Sequence, residues 1–187
     1  MILLETDRLR LRRFTGDDID RLVELDSDPE VMRYLTWGEP SPREWYVDEV
    51  MPRWLASYEE TPQLGHFAAE DRATSEFLGW FHLHPDRFSP DEQELGYRLR
   101  RACWGSGLAT EGSKALLMHG FGVVGADKVC ARTLATNLGS QRVMQKAGLR
   151  YECAFVYPLE IIPDRTDAER ASVKYSITRA EWRASRA

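Results

Sequence analysis

The feature that most constrains this chain is a change of pattern near its middle. "GHFAAED", "EFLGWFHLH" and "EQELGYRLR" read as three strands separated only by polar turns at Asp71–Ser75 and Pro85–Asp91, the signature of a meander. The spacing then lengthens. A glycine-rich turn, "CWGSGLATEG", leads into a helix from about Ser106 to Val123, with Leu108, Leu116, Leu117 and Phe121 on an apolar stripe. "KVCARTLA" is a strand, and "LGSQRVMQKAG" is a helix closed by Gly148. "LRYECAFVY" and "ASVKYSIT" are the last strands, with the charged loop "PLEIIPDRTDAER" between them. Ahead of the meander, "RLRLRRF" alternates Leu9, Leu11 and the further Phe14 with arginines, as a half-buried strand does. Helices are expected over "TGDDIDRLVELDSDP", "PEVMRYL" and "PREWYVDEVMPRWLASY", the last kinked or interrupted at Pro52. Short turns make antiparallel pairs and helical crossovers make parallel ones, so the whole reads as one mixed α/β layer structure.

The 187 residues suit one sizeable core, and no repeat or linker divides them, so residues 1–187 are read as a single domain. Hydrophobic and charged fractions of 43% and 29% are those of a globular protein, and no apolar run approaches the roughly 20 residues of a membrane span. With acidic residues early and no uninterrupted apolar core, "MILLETDRLRLRRF" is not expected to act as a signal peptide. A net charge of −5 argues against a general nucleic-acid binder. Cys103, Cys130 and Cys153 are widely spaced and odd in number, so neither a disulfide framework nor a metal site is expected of them. The simplest compartment is the reducing cytoplasm, with the thiols buried and inert.

A strand ending near Leu99 and turning into a helix leaves backbone N–H groups free where the helix dipole favours anions. Gly105 and Gly107 would let a ligand approach the backbone, Thr110 offers a hydroxyl, and Arg100 and Arg101 offer counter-charge. Two familiar phosphate loops do not fit. The P-loop needs Lys-Ser/Thr after its second glycine, where this chain has Leu108-Ala109. The dinucleotide fingerprint needs a third glycine where Thr110 stands.

Strand alternation sets Glu94, Gly96 and Arg98 on one face and Leu95, Tyr97 and Leu99 on the other. His82 and His84 share a face of the neighbouring strand, but His84, at the strand end before Pro85, reads first as a plain turn residue. Asn137 ends a strand and caps the next helix.

Five blocks, "ETDRLRLRRF", "DPEVMRYL", "ELGYRLRRACWGSGLATEG", "TNLGSQRVMQKAGLRYE" and "KYSITRAEW", occur in the order found in the GNAT superfamily of acyl-CoA-dependent N-acetyltransferases. The chain resembles that superfamily over nearly its whole length. Within it, the Rim-type branch, which acetylates N-terminal amines of ribosomal proteins, is most similar. The resemblance implies a mixed, twisted sheet of about seven strands with helices on both faces and a splayed central parallel pair. It implies acetyl-CoA as cosubstrate, no metal, and frequent homodimers. The pyrophosphate motif aligns as Trp104-Gly105-Ser106-Gly107-Leu108-Ala109, with Trp104 departing from the usual first residue. By resemblance, Leu99, Arg100, Arg101 and the turn from Trp104 to Thr110 hold the cosubstrate. Asn137 would reach the pantetheine, and Arg142 and Lys146 the adenosine phosphate, with solvated helix charges the equal alternative for those two.

Family members often carry a catalytic glutamate where Glu94 stands, which makes it the base candidate, with His82 and His84 next; a carboxylate paired with a nearby arginine is the structural alternative. The usual tyrosine acid is replaced by Met144, which donates no proton. Ser140 is the substitute, and water suffices otherwise. The acceptor, a small-molecule or protein N-terminal amine, is expected among Tyr34, Trp37, Trp45, His82 and Tyr157, whereas Trp54 and Trp80 read as core. No nucleophile presents itself for an acyl-enzyme, so direct attack by the amine is expected. The alternative activity is a non-catalytic acyl-CoA sensor or partner-binding subunit. A nucleotide binder is disfavoured by the missing lysine and glycine.

Overall fold

The first two strands, β1 (Ile2–Glu5) and β2 (Leu9–Arg13), form an antiparallel hairpin at one edge of the sheet in the computed structural model, which describes residues 1–186. A helical layer follows: α1 (Ile19–Asp26), α2 (Pro29–Met32), α3 (Arg43–Trp45) and α4 (Met51–Glu60). Asp28 caps α2 through the Glu30 N–H, and Pro29 occupies its first turn. Between α3 and α4 the helix widens into a π turn at Tyr46–Val50, immediately before Pro52. The chain therefore stays helical through Pro52, because the widened turn absorbs the missing donor that was expected to break it.

The meander forms as β3 (Gly65–Asp71), β4 (Phe77–Pro85) and β5 (Gln93–Leu99). After the glycine turn come α5 (Leu108–His119), extended by a π turn to Val124, β6 (Lys128–Leu134) and α6 (Leu138–Ala147). Then follow β7 (Arg150–Val156), α7 (Asp167–Arg170), β8 (Ala171–Thr178) and α8 (Arg179–Ala184). Strand order is β1-β2-β3-β4-β5-β6-β8-β7. The eighth strand is β1, whose short "ILLE" run has no alternation to betray it. Helices α7 and α8 were also unforeseen; each begins with a threonine–glutamate capping box, at Thr166/Glu169 and Thr178/Glu181.

Two apolar clusters sandwich the sheet. On one face Phe67, Phe81, Leu83, Leu95 and Leu99 pack with Leu116, Leu117 and Phe121 of the α5 region and Met144 of α6. On the other, Ala68, Phe77 and Trp80 meet Leu22, Leu25, Tyr46, Val50 and Trp54 of the helical layer. Trp54 and Trp80 are core, as expected.

The parallel pair is short. β5 and β6 are in register only at Gln93↔Val129 and Glu94↔Cys130, whereas β6 pairs with β8 from Lys128 to Leu134. Beyond Glu94 the two strands part, opening a slot whose far ends are the glycine turn and Asn137. Strand β7 lies at the free edge with nearly every residue exposed, so Cys153 is a surface thiol rather than a buried one.

Candidate active site

The glycine turn has the form of an anion cradle. Gly105 and Gly107 adopt φ of +74° and +88°, a left-handed backbone open to glycine at little cost. Gly107 precedes α5 without any side-chain cap. Among the described residues, no N–H from Gly105 to Thr110 has an intramolecular acceptor. The turn is clamped from behind by Arg8, which sequence reading missed. Its Nη1 donates to the Ser106 carbonyl at 3.0 Å and its Nε to Glu111 at 2.7 Å, while Thr6 Oγ1 donates to Glu111 at 2.5 Å. With its carbonyl side engaged, the turn presents its donors outward.

Other residues expected near the phosphates divide. Arg100 is engaged by Glu24 at 2.8 Å and Glu76 at 3.7 Å, so its charge is largely spoken for. Arg101, Arg142 and Lys146 are exposed and form no ion pair among the described residues. Trp104 Nε1 donates to the Leu99 carbonyl at 2.9 Å, fixing the start of the turn. Leu108 and Ala109 pack against the core and secure the first turn of α5. Asn137 caps α6 by accepting from the Ser140 N–H at 3.1 Å, which is its structural role.

Where β5 and β6 part, the two faces of β5 carry different chemistry. Glu94 faces the helical layer, 3.7 Å from Arg132 of β6, which in turn forms a buried ion pair with Asp86. Burial pushes the Glu94 carboxyl above the usual carboxylate range, against the opposing pull of His84 and Arg132. Tyr157 lies close enough that burial and then the Glu94 charge raise its phenol. His82 sits across β5 from Gly96, and His84 across from Glu94. Trp37 arrives from the α2–α3 loop with φ +60° and stacks under Arg165 at 4.2 Å, joining that loop to the charged segment before α7. Tyr34 is instead covered by Arg33 at 5.4 Å, and Trp45 is exposed.

On the opposite face of β5, Tyr97 Oη is 2.9 Å from Ser140 Oγ. Met144, one turn further along α6, is buried in the core. Strand alternation already separated Tyr97 from Glu94, but its pairing with Ser140, 43 residues away, depends on how α6 packs.

A family model for the acetyltransferase (GNAT) domain matches residues 8–150. The chain belongs to the GNAT acetyltransferase family. This GNAT chain is 30% identical over 187 aligned residues to the FsC-acetyl coenzyme A-N(2)-transacetylase of Aspergillus fumigatus, covering 96% of this chain and 77% of the relative. It superposes with a TM-score of 0.74 on a GNAT-family acetyltransferase from Bacillus anthracis, at 23% identity over 96% of this chain and 99% of the other. The spermidine N-acetyltransferase from Vibrio cholerae, solved with CoA and spermine, has a TM-score of 0.74 at 17% identity, covering 95% and 99% of the two chains. GNAT enzymes use acetyl-CoA, and the free N–H groups of this turn and the slot beside it suit that molecule's anionic and extended parts.

Proposed function

We propose that this GNAT chain transfers acetyl from acetyl-CoA to a primary amine by direct attack, with β5 dividing the proton chemistry between its two faces. The domain takes in residues 1–187, since β7 and β8 complete the sheet that residues 8–150 begin. Bound acetyl-CoA supplies an activated thioester. Residues Gly105–Thr110 would hold its pyrophosphate through their free N–H groups, and Arg101, Arg142 and Lys146 are charges available to its remaining phosphate.

The observation that carries the reading is Glu94 at the last rung of the parallel pair, half-buried, with a raised pKa. An alkylammonium must lose a proton before it attacks, and a carboxylate made more basic by burial takes that proton more readily than an exposed one. His84 and Arg132 oppose that rise and favour the carboxylate form that takes the proton. On the other face Tyr97 is pushed up to about 12 by burial. A thiol of pKa roughly 8.5 is a stronger acid than that phenol, so full proton transfer from Tyr97 to a departing thiolate is uphill. With Ser140 Oγ–H donating to Tyr97 Oη at 2.9 Å, the phenol proton turns from the Ser140 carbonyl, 3.1 Å away, to developing negative charge, and water delivers the proton. This fills the position left by Met144 and gives Ser140 a positioning role.

The acceptor class rests on two names. One relative is called an N(2)-transacetylase, and one neighbour a spermidine N-acetyltransferase solved with spermine. Both denote amines. The five blocks resemble those of the Rim-type branch, and that resemblance makes N-terminal peptides a second set of acceptors to try. Thiol release from acetyl-CoA, measured across polyamines, free amino acids and N-terminal peptides, tests the reading. Turnover with an amine that is lost in Glu94→Gln is expected. Tight CoA binding with no turnover on any amine would leave the chain a sensor.

A further inference from the structure

Three of the chain's four histidines meet on the helix-covered face of the sheet. His66 of β3 pairs directly with His82 of β4, and His84 lies two residues along the same strand face. Their ring centroids are 4.9 Å apart for His66–His82, 4.3 Å for His82–His84 and 5.3 Å for His66–His84. One nitrogen from each ring lies within 4.8 Å of the other two.

Several details bear on what the cluster is for. Both ring nitrogens of His82 are buried without any hydrogen-bond partner. A buried polar group in that state is costly, so it calls for an explanation. Room for the ring is made by Gly96, where a Cβ would stand 2.4 Å from His82 Nε2. His84 Nδ1 is 2.9 Å from the Pro85 carbonyl, a contact that places a proton on Nδ1 and leaves the Nε2 lone pair free. A backbone carbonyl orienting the far nitrogen is the usual outer partner of a metal-bound histidine. Trp54 stacks on His66 at 4.2 Å and Trp80 on His82 at 5.7 Å, so aromatic walls exclude water from two sides.

We propose that His66, His82 and His84 form a binding site for a divalent transition metal of the zinc class. Three neutral imidazoles from a His-x-His strand and its neighbour are a complete set for such an ion, which keeps a fourth position for water or another group. The donor set also decides against other ions. No carboxylate joins the cluster, which disfavours magnesium and calcium, and no thiolate joins it, which disfavours copper(I). Zinc–nitrogen bonds of about 2.0–2.1 Å set tetrahedral ligand atoms about 3.4 Å apart, so the rings close by at most roughly 1.4 Å on binding. Small side-chain rotations supply that. Because His84 faces Glu94 across the strands, the ion would lie next to the acceptor end of the slot.

The test uses the full chain, stripped with a chelator and titrated with zinc(II) and, separately, with cobalt(II). Expected are one equivalent of zinc(II) bound at micromolar or tighter affinity, a zinc-dependent rise in Tm, and visible ligand-field absorption from cobalt(II) that zinc(II) abolishes. His84→Gln, at the least enclosed of the three positions, should weaken zinc(II) at least tenfold with its circular dichroism unchanged. His66→Gln is the second variant. Less than one equivalent bound to the wild type overturns the site and leaves a proton-sharing imidazole cluster. So does a folded His84→Gln that binds zinc(II) as tightly, with the same cobalt(II) spectrum. Acetyl transfer by the stripped chain bears on the proposed activity alone, so the two readings fail separately.

Discussion

Replacing Asp26 by alanine tests how the helical layer is fastened to the sheet. Asp26 ends α1, is 0% exposed, and both its oxygens lie 2.5–2.6 Å from Arg98 Nη1 of β5. Tyr46 also donates to it, and burial together with the Asp26 charge raises that phenol, so it keeps its proton. The Arg98 Nε is already buried without an acceptor, and its guanidinium lies 5.0 Å from the Trp80 ring. Without Asp26, a nearly enclosed cation retains only an aromatic face, and Tyr46 loses its acceptor. Breaking a buried pair from one side costs about 3–5 kcal/mol. Against a domain stability of about 5–15 kcal/mol that is a large fraction. At about 2–4 °C per kcal/mol for a chain of this size, Tm should fall by about 6–20 °C. Urea unfolding should show a lower midpoint with an unchanged slope. Asp26→Leu combined with Arg98→Met removes both charges and should recover most of the loss. A cost below about 1 kcal/mol for Asp26→Ala, typical of an exposed pair, would refute the reasoning, as would a double variant less stable than the single one.

Glu94→Gln should lower kcat about 10²–10³-fold with little change in the KM for acetyl-CoA. In the wild type, the acidic limb of the pH–rate profile should lie above the ordinary carboxylate range, because a protonated Glu94 accepts nothing; the variant should lack that limb. Tyr97→Phe should cost about tenfold in kcat, the worth of one hydrogen bond, and a loss of a thousandfold in initial rates would assign Tyr97 a true acid role. Gly107→Ala forces a Cβ onto φ +88° beside Arg8, a strain of about 1–2 kcal/mol that should raise the KM for acetyl-CoA about tenfold. Burial pushes Glu152 up, but hydrogen bonds from Ser176, Lys128 and Lys174 outweigh it and hold the carboxyl at about 2. Its folded pKa is below its unfolded value, so its contribution is present above about pH 4.5 and lost as pH falls toward 2. The Tm difference between wild type and Glu152→Gln should shrink over that window.

What could be read in the sequence was local. Alternation along β5 placed Glu94 and Tyr97 on opposite faces, the asparagine before "LGS" capped α6, and the glycines of the turn took left-handed conformations. Contacts set by register and packing were not legible. His66 and His82 are neighbours only because β3 and β4 pair as they do, and Ser140 meets Tyr97 only because α6 lies over that face. Arg8 and Glu111 are 103 residues apart, and nothing in "DRLRLRRF" marks one arginine among several as the clamp. The apolar run of β1 failed for another reason: four residues at an edge carry too little pattern to distinguish a strand from a loop.

The two-rung contact between β5 and β6 has a mechanical meaning. Strands β1–β5 and β6–β8 are each laced by long antiparallel ladders, so the sheet is two stiff panels sewn together by a few stitches. Force or heat applied to the chain should open this seam before either panel frays, with α5 and α6 as the straps that restrain it. A molecule laid along the gap would act as a splint, replacing missing stitches with its own amide groups. Amides facing the gap on β5 beyond Glu94 should then exchange much more slowly in the presence of CoA, while those between β3 and β4 stay as they were.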